Sequence, residues 1–299
     1  PPLRQSHANP GGSLEELDEP FVYVEHDKGG HAPYGHSYEE YSSTGAFYDS
    51  LDSLDEIPEL YSESVSTSAN RFLELIDEAK EKGVFEDTLF IFTSDHGELL
   101  GEQEYGHLIE HAHPLVPELV RVPICFIHSS FPENVALDTL LSGADIVPTI
   151  RGALGLEGQD VSGHDLWSDF PEKRYCRADY WYYRDDDSWI SSGYQATSAW
   201  DDDGGVVIQR NSNVKRMLAG VYMSLYARPQ SKIIREYSGI DDYLRVLKLY
   251  YSGRIEYNGG LDEEKLLART LPAKFRKDHS EDEIEEVNKE LLEDLGYLE

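Results

Sequence analysis

Apolar residues fall in short blocks along this chain, and the spacing within each block separates strands from helices. Leu89-Phe90-Ile91-Phe92-Thr93 is an unbroken run that stops at Asp95-His96-Gly97. Such a run predicts a strand buried on both faces of a parallel sheet. Residues 21–25 and 122–127 predict two more buried strands. Phe72, Leu73, Ile76 and Ala79 recur at helical spacing within residues 68–82, and Gly83 supplies a stop. Ile146, Val147, Ile150 and Leu154 mark one face of a helix over residues 144–154, with Pro148 in the first turns, where it costs least. Strands alternating with helices argue for an α/β fold, a mostly parallel sheet flanked by helices. Residues 35–63 are rich in Tyr, Ser and Asp without a sustained period, and predict a long loop.

The pattern changes near residue 170. Residues 194–200 and 205–209 flank Asp201-Asp202-Asp203-Gly204, a hairpin signal. Val214, Met217, Leu218, Val221, Tyr222 and Leu225 follow helical spacing and read as core packing rather than a cofactor box. Residues 241–251 predict another helix, and Ser280-Glu281-Asp282-Glu283 opens a last one that buries Ile284, Val287, Leu291 and Leu292. The expected division is an irregular lead-in over residues 1–19, an α/β part over 20–170, and a smaller α+β part over 171–299. No internal repeat is visible.

Composition narrows the function classes. Hydrophobic residues make up 39% of 299, enough for a packed core. Lys plus Arg number 26 against 58 Asp plus Glu, a formal charge of -32. That surface would repel nucleic acid and anionic membranes. Carboxylates spread over a globular sequence point to adaptation to high salt, where the Debye length falls to about 3 Å at ~1 M; a halophilic archaeal source is the preferred reading. Two cysteines make no disulfide framework. Cys125 sits in the apolar run Ile124-Cys125-Phe126-Ile127 and reads as a buried thiol. No apolar segment reaches the ~18 residues that span a bilayer. No address is legible, and the cytoplasm is the default compartment.

Chemistry concentrates after the first long apolar run. Ligands of open α/β sheets sit beyond the carboxyl ends of strands, where Asp95 and His96 fall. A carboxylate beside an imidazole, followed by a glycine, suits a divalent metal. An N-cap Asp beside a surface His is the bland alternative. Four of the 11 histidines lie between positions 96 and 113: His96, His107, His111 and His113. The Pro-interrupted segment 106–117 reads as a loop returning toward Asp95.

Several segments, in order, resemble the sulfatase branch of the alkaline-phosphatase superfamily. They are the strand at Phe21 with His31-Ala32-Pro33-Tyr34, the helix ending at Gly83, and Thr93-Ser94-Asp95-His96-Gly97-Glu98. Glu118-Leu119-Val120-Arg121-Val122-Pro123 and Asp145-Ile146-Val147-Pro148-Thr149 follow. Ser162-Gly163-His164-Asp165-Leu166 and the closing Leu295-Gly296-Tyr297-Leu298 are weaker matches. The resemblance implies an alkaline-phosphatase-like sheet with a smaller C-terminal subdomain. It implies a divalent ion held partly by Asp95 and His96: calcium by family habit, manganese or zinc by imidazole chemistry. His31 matches the histidine that binds sulfate and protonates the leaving group, a task suited to a near-neutral pKa. Two alignments leave His111 and His113 as alternatives for the His or Lys that touches the substrate's charged oxygens. Glu98 reads as helix N-terminal charge, Arg121 as a loop-ordering residue, and His107 as a surface histidine.

The family's Cys/Ser-x-Pro/Ala-x-Arg nucleophile motif and its adjacent acidic metal ligands do not occur in residues 1–87. Cys176-Arg177-Ala178-Asp179-Tyr180 has Tyr180 where Arg is needed and is rejected as a nucleophile. The expectation is the C-terminal part of a metal-dependent sulfuric ester hydrolase, acting on a small-molecule or polysaccharide sulfate ester. A phosphodiesterase or phosphoglycerol transferase of the same superfamily, or a non-catalytic remnant, are the alternatives. Oligomeric state is not legible.

Overall fold

The computed structural model describes residues 4–8, 12–27, 29–35, 40–41, 43–109, 111, 113–156, 163–182, 194–227 and 232–257. Ser162, the helix proposed from Ser280 and the closing Leu295–Leu298 tetrapeptide lie outside them. The described residues mix helices and strands. No helix among them is long and apolar enough to cross a membrane.

Two compact units divide the chain: Pro1–Lys28 with Pro272–Glu299, and Gly29–Leu271. In the first, β1 (Arg4–Ala8) pairs in parallel with β2 (Phe21–Glu25), Arg4 opposite Phe21. The lead-in is therefore not irregular throughout. Ser13 caps a 3-10 turn over Leu14–Glu16 by accepting from the Glu15 N–H.

In the second unit, the expected long loop holds helices. Ser43 accepts from the Ala46 N–H and starts α1 (Thr44–Ser50), which buries Phe47 and Tyr48. Helix α2 (Glu56–Lys82) begins twelve residues before the expected start at residue 68. Glu56 folds back to accept from the backbone N–H groups of Asp52 and Ser53, which fixes that start without an apolar signal. The buried face is Leu75, Ile76 and Ala79, whereas Leu73 is exposed. Gly83 ends α2 in the left-handed region at φ 80°, where glycine carries no Cβ penalty.

Strand β3 (Phe90–Thr93) pairs with β4 (Ile124–Ile127), Phe90 opposite Ile127. The pairing is antiparallel, which corrects the parallel sheet expected here; among the described residues only β1 and β2 pair in parallel. An apolar run reports burial and says nothing about the direction of its neighbour. One face of β3 packs on α2, with Phe72 against Phe90 and Phe92 at 6.4 and 5.1 Å between ring centres. Cys125 pairs directly opposite Phe92 and is exposed, not the buried thiol expected.

A single helical turn, α3 (Pro117–Val120), leads into β4. Asp145 anchors the next helix. Ser142 caps a 3-10 turn over Gly143–Asp145 that runs into α4 (Ile146–Ala153). The inward face of α4 is Pro148 and Thr149; Val147 and Leu154, expected inside, are exposed. The fully buried Asp145 carboxylate accepts from the N–H of Ser142 (2.8 Å) and of His164 (2.7 Å), and pairs with Arg174.

A four-stranded antiparallel sheet follows, in the order β5 (Cys176–Tyr182), β6 (Tyr194–Asp201), β7 (Gly204–Gln209), β8 (Arg254–Tyr257). The β6–β7 hairpin matches the expectation; its turn closes on Asp201, which accepts from the N–H of Asp203 and Gly204. Helix α5 (Asn213–Tyr222) runs into a π-helical turn over Met223–Ala227, then α6 (Lys232–Tyr237) and α7 (Ile240–Tyr251). The apolar stripe of α5 was expected in the core, yet Val214, Met217, Leu218, Tyr222 and Leu225 are exposed. The helix packs instead through Ala219, Gly220 and Met223, because small side chains let it approach Leu247 and Tyr250 of α7. The core of this unit crosses residue 170: Leu99, Tyr105, Leu108, Val116 and Leu119 pack on Val246 and Tyr250.

Candidate active site

The turn after β3 is held by its own side chains. The Asp95 carboxylate accepts from the His96 N–H at 3.0 Å, and the Ser94 hydroxyl donates to the His96 carbonyl at 2.6 Å. His96 Nδ1 lies 2.8 Å from the Gly97 carbonyl oxygen. A carbonyl can only accept, so the Nδ1 atom carries the proton and the neutral ring keeps its lone pair on Nε2. Nε2 is the atom facing Asp95, 3.8 Å from Oδ2. Gly97 is required by contact: its N–H donates to Leu119 at 2.9 Å, and a Cβ there would sit 1.9 Å from the Glu118 carbonyl oxygen. The segments Asp95-His96-Gly97 and Glu118-Leu119 are thus one packed feature. The Glu118 side chain adds to it by accepting from the Tyr105 hydroxyl at 2.8 Å.

Two more imidazoles reach this turn from distant segments. The His111 ring stacks on His96, with centres 5.2 Å apart and planes 17° apart. His31 lies on another side of His111, also 5.2 Å between centres. The Nδ1 atom of His31 donates to the Ala32 carbonyl at 2.7 Å. His111 Nδ1 lies 3.5 Å from Glu98 Oε2. All three rings therefore meet an oxygen at Nδ1. His31, His96 and His111 thus lie together beside Asp95.

The second loop histidine goes elsewhere. His113 is buried, packed against Tyr180, Tyr194 and Tyr250 at 5.5, 4.8 and 4.8 Å between ring centres. Neither ring nitrogen has a hydrogen-bond partner among the described residues. Burial pushes its pKa down to about 3, so it is a neutral core ring. His107 is not a plain surface histidine either: its Nδ1 donates to the Gly101 carbonyl at 2.8 Å. Arg121 holds its guanidinium over Trp200, 5.6 Å from the ring centre, and so ties its loop to β6. His164 pairs with Asp169 at 3.2 Å. Burial raises the Cys176 pKa, which makes its thiol a poor nucleophile.

Sequence reasoning missed Glu98. No helix starts there, so it is not helix N-terminal charge. Its carboxylate is buried beside His111, with a side-chain exposure of 7%. No spacing rule marks it, because it lies in irregular backbone between Gly97 and the fully buried Leu99.

Asp95 and His96 fit neighbouring positions of a metal shell: a hard oxygen and a lone-pair nitrogen, both set by local hydrogen bonds. Two residues would supply only part of such a shell. No group of three or more His, Cys, Asp or Glu among the described residues is arranged to hold an ion.

With that geometry in hand, comparison with known proteins defines the class. Residues 12–156 match the family described as Sulfatase. A relative named "Low-salt glycan biosynthesis sulfotransferase Agl7", from Haloferax volcanii, is 35% identical over 303 residues, covering 100% of this chain and 74% of its own length. The chain belongs to the sulfatase family. A solved structure of BT4656 in complex with its substrate D-glucosamine-2-N,6-O-disulfate aligns with TM-score 0.35 and 17% identity. The alignment covers 62% of this chain, which spans 39% of that structure's length.

Proposed function

We propose that this chain supplies the metal- and anion-binding side of a site that cleaves the sulfate ester of a sulfated glycan. The observation that supports it best is the meeting of His31, His96 and His111, from three separate segments, beside Asp95. Asp95 Oδ2 and His96 Nε2 would hold a divalent ion, whose charge would neutralise nonbridging sulfate oxygens. The Nε2 atoms of His31 and His111 would face the sulfate. With Nδ1 committed to the Ala32 carbonyl, His31 can take up or release a proton only at Nε2, where a departing sugar oxygen would be met.

A second reading concerns the acceptor. The relative's name describes glycan biosynthesis and sulfotransfer, which supports a sugar hydroxyl in place of water. The same residues serve both reactions, because the sulfuryl group and its leaving oxygen are unchanged. The test is a labelled sulfated sugar given to the whole-gene product with calcium or manganese and an acceptor sugar. Label in free sulfate supports ester hydrolysis, and label on the acceptor supports transfer; both should vanish in Asp95→Ala. Label that stays on the donor with every divalent ion would leave the chain a non-catalytic member of its family.

A further inference from the structure

Building on the proposed site, we infer that Glu98 is a positioning residue that fixes the tautomer and orientation of the His111 ring, so that its Nε2 is the atom offered to substrate.

Burying a carboxylate costs several kcal/mol unless something compensates it, so a carboxylate buried to the extent of Glu98 calls for a specific partner. His111 Nδ1, at 3.5 Å, is that partner. Two phenols from segments that also build the site interact electrostatically with it. Tyr34 belongs to the His31 segment and is fully buried; burial first, then Tyr48 and Glu98, push its hydroxyl pKa up. Tyr61 projects from α2, and burial followed by Glu98 raises it in the same way. Both phenols stay neutral beside the negative charge. The third such group is His111 itself, on the loop that leads to Pro117. Leu99, fully buried next in sequence, fixes the backbone from which Glu98 projects.

The consequence is chemical. A carboxylate oxygen facing Nδ1 favours the tautomer with its proton there and leaves the Nε2 lone pair outward. His31 and His96 reach the same state through the carbonyls of Ala32 and Gly97. His111 sits on a loop with a side-chain exposure of 43%, and it is Glu98 that supplies an oxygen at its Nδ1. Removing Glu98 takes away that oxygen and shifts the balance toward a proton at Nε2, the form most imidazoles prefer in water. The backbone carbonyls set two rings and a side chain sets the third, so the third can be altered by substitution.

The experiment is long-range proton–nitrogen NMR on this chain with labelled histidine, at a pH where imidazole is neutral. The wild-type His111 ring should show its proton on Nδ1. Glu98→Met should shift His111 toward the Nε2-protonated form and leave His96 and His31 unchanged. Glu98→Gln, which keeps an acceptor oxygen, should retain most of the Nδ1 form. A wild-type His111 protonated at Nε2 overturns the inference before any variant is made, so a misfolded Glu98→Met does not shelter it. An unchanged His111 in a folded Glu98→Met also overturns it. In the whole-gene product, Glu98→Met should lower kcat about tenfold or more with KM little changed. The tautomer readout needs no activity, so it stands or falls separately from the sulfate-ester reading.

Discussion

His96 and His111 stack with their ring centres 5.2 Å apart and their planes 17° apart, although the first ends a β-strand turn and the second rides on a proline-bounded loop. That contact turns two separate sequence signals into one surface. It also divides the loop's histidines by role: His111 faces the Asp95 turn, and His113, two residues on, enters a box of tyrosines.

His113 should make stability pH-dependent. Burial lowers its folded pKa to about 3, while the unfolded chain keeps a value near 6.5. As pH falls below ~6.5 the unfolded state takes the proton first, so stability present at neutral pH declines, by up to ~1.4 kcal/mol per pH unit, until the folded pKa is reached. Urea midpoints of wild type and His113→Phe at pH 7.5 and 5.5 check this. The wild type should lose more between the two, and equal losses would show that His113 is not the group responsible.

Gly97→Ala should be severely destabilising. The new Cβ would lie 1.9 Å from the Glu118 carbonyl oxygen, a backbone atom that cannot swing aside. Overpacking of this kind costs ~1–3 kcal/mol or more, and here it would also open the turn that holds Asp95 and His96. Gly45→Ala, in α1 with only the Ser43 hydroxyl near at 3.7 Å, is the control and should be neutral or stabilising by ~0.5–1 kcal/mol. Thermal melts of the two variants decide it.

Asp145 and Arg174 should be energetically coupled. Removing either partner leaves a buried or half-buried charge unpaired, a change that costs ~3–5 kcal/mol in buried pairs. Asp145→Ala should cost more than Arg174→Met, because the N–H groups of Ser142 and His164 also lose their acceptor. The double variant should lose less than the two single losses added together. Additive losses in denaturant titrations would show that the two act independently.

Low salt should unfold the chain. A formal charge of -32 makes carboxylates repel across the whole surface once the Debye length exceeds their spacing, ~30 Å at 0.01 M. Circular dichroism should show structure in molar chloride and its loss on dialysis to a few millimolar. An unchanged spectrum would remove the case for salt adaptation.

Several local features were legible in the sequence, because the residues that set them are neighbours along the chain. A strand that stops at Asp95-His96-Gly97, a helix that stops at Gly83 and a hairpin that closes on Asp201 each depend on residues within a few positions of one another. What depended on distant partners was misread. The direction of β4 beside β3 leaves no mark on either strand. The packed side of α5 was hidden because Ala219 and Gly220 carry little hydrophobicity yet allow the closest approach. His111 and His113 could not be separated, because their difference lies in what they touch: His96 in one case, Tyr180 and Tyr250 in the other. Glu98 could not be recognised either, because its partner His111 lies on a separate segment and only the folded chain brings the two to 3.5 Å.

The central claim is that His31, His96 and His111 act as one sulfate-handling site beside Asp95. It is tested most directly by sulfuryl release or transfer in the whole-gene product carrying His111→Ala, with His31→Ala in parallel. His111 is partly exposed, so its loss should shift stability by no more than ~1 kcal/mol, while kcat falls on the order of a hundredfold. His111→Ala and His31→Ala enzymes that keep full activity and a wild-type melting temperature would contradict the account.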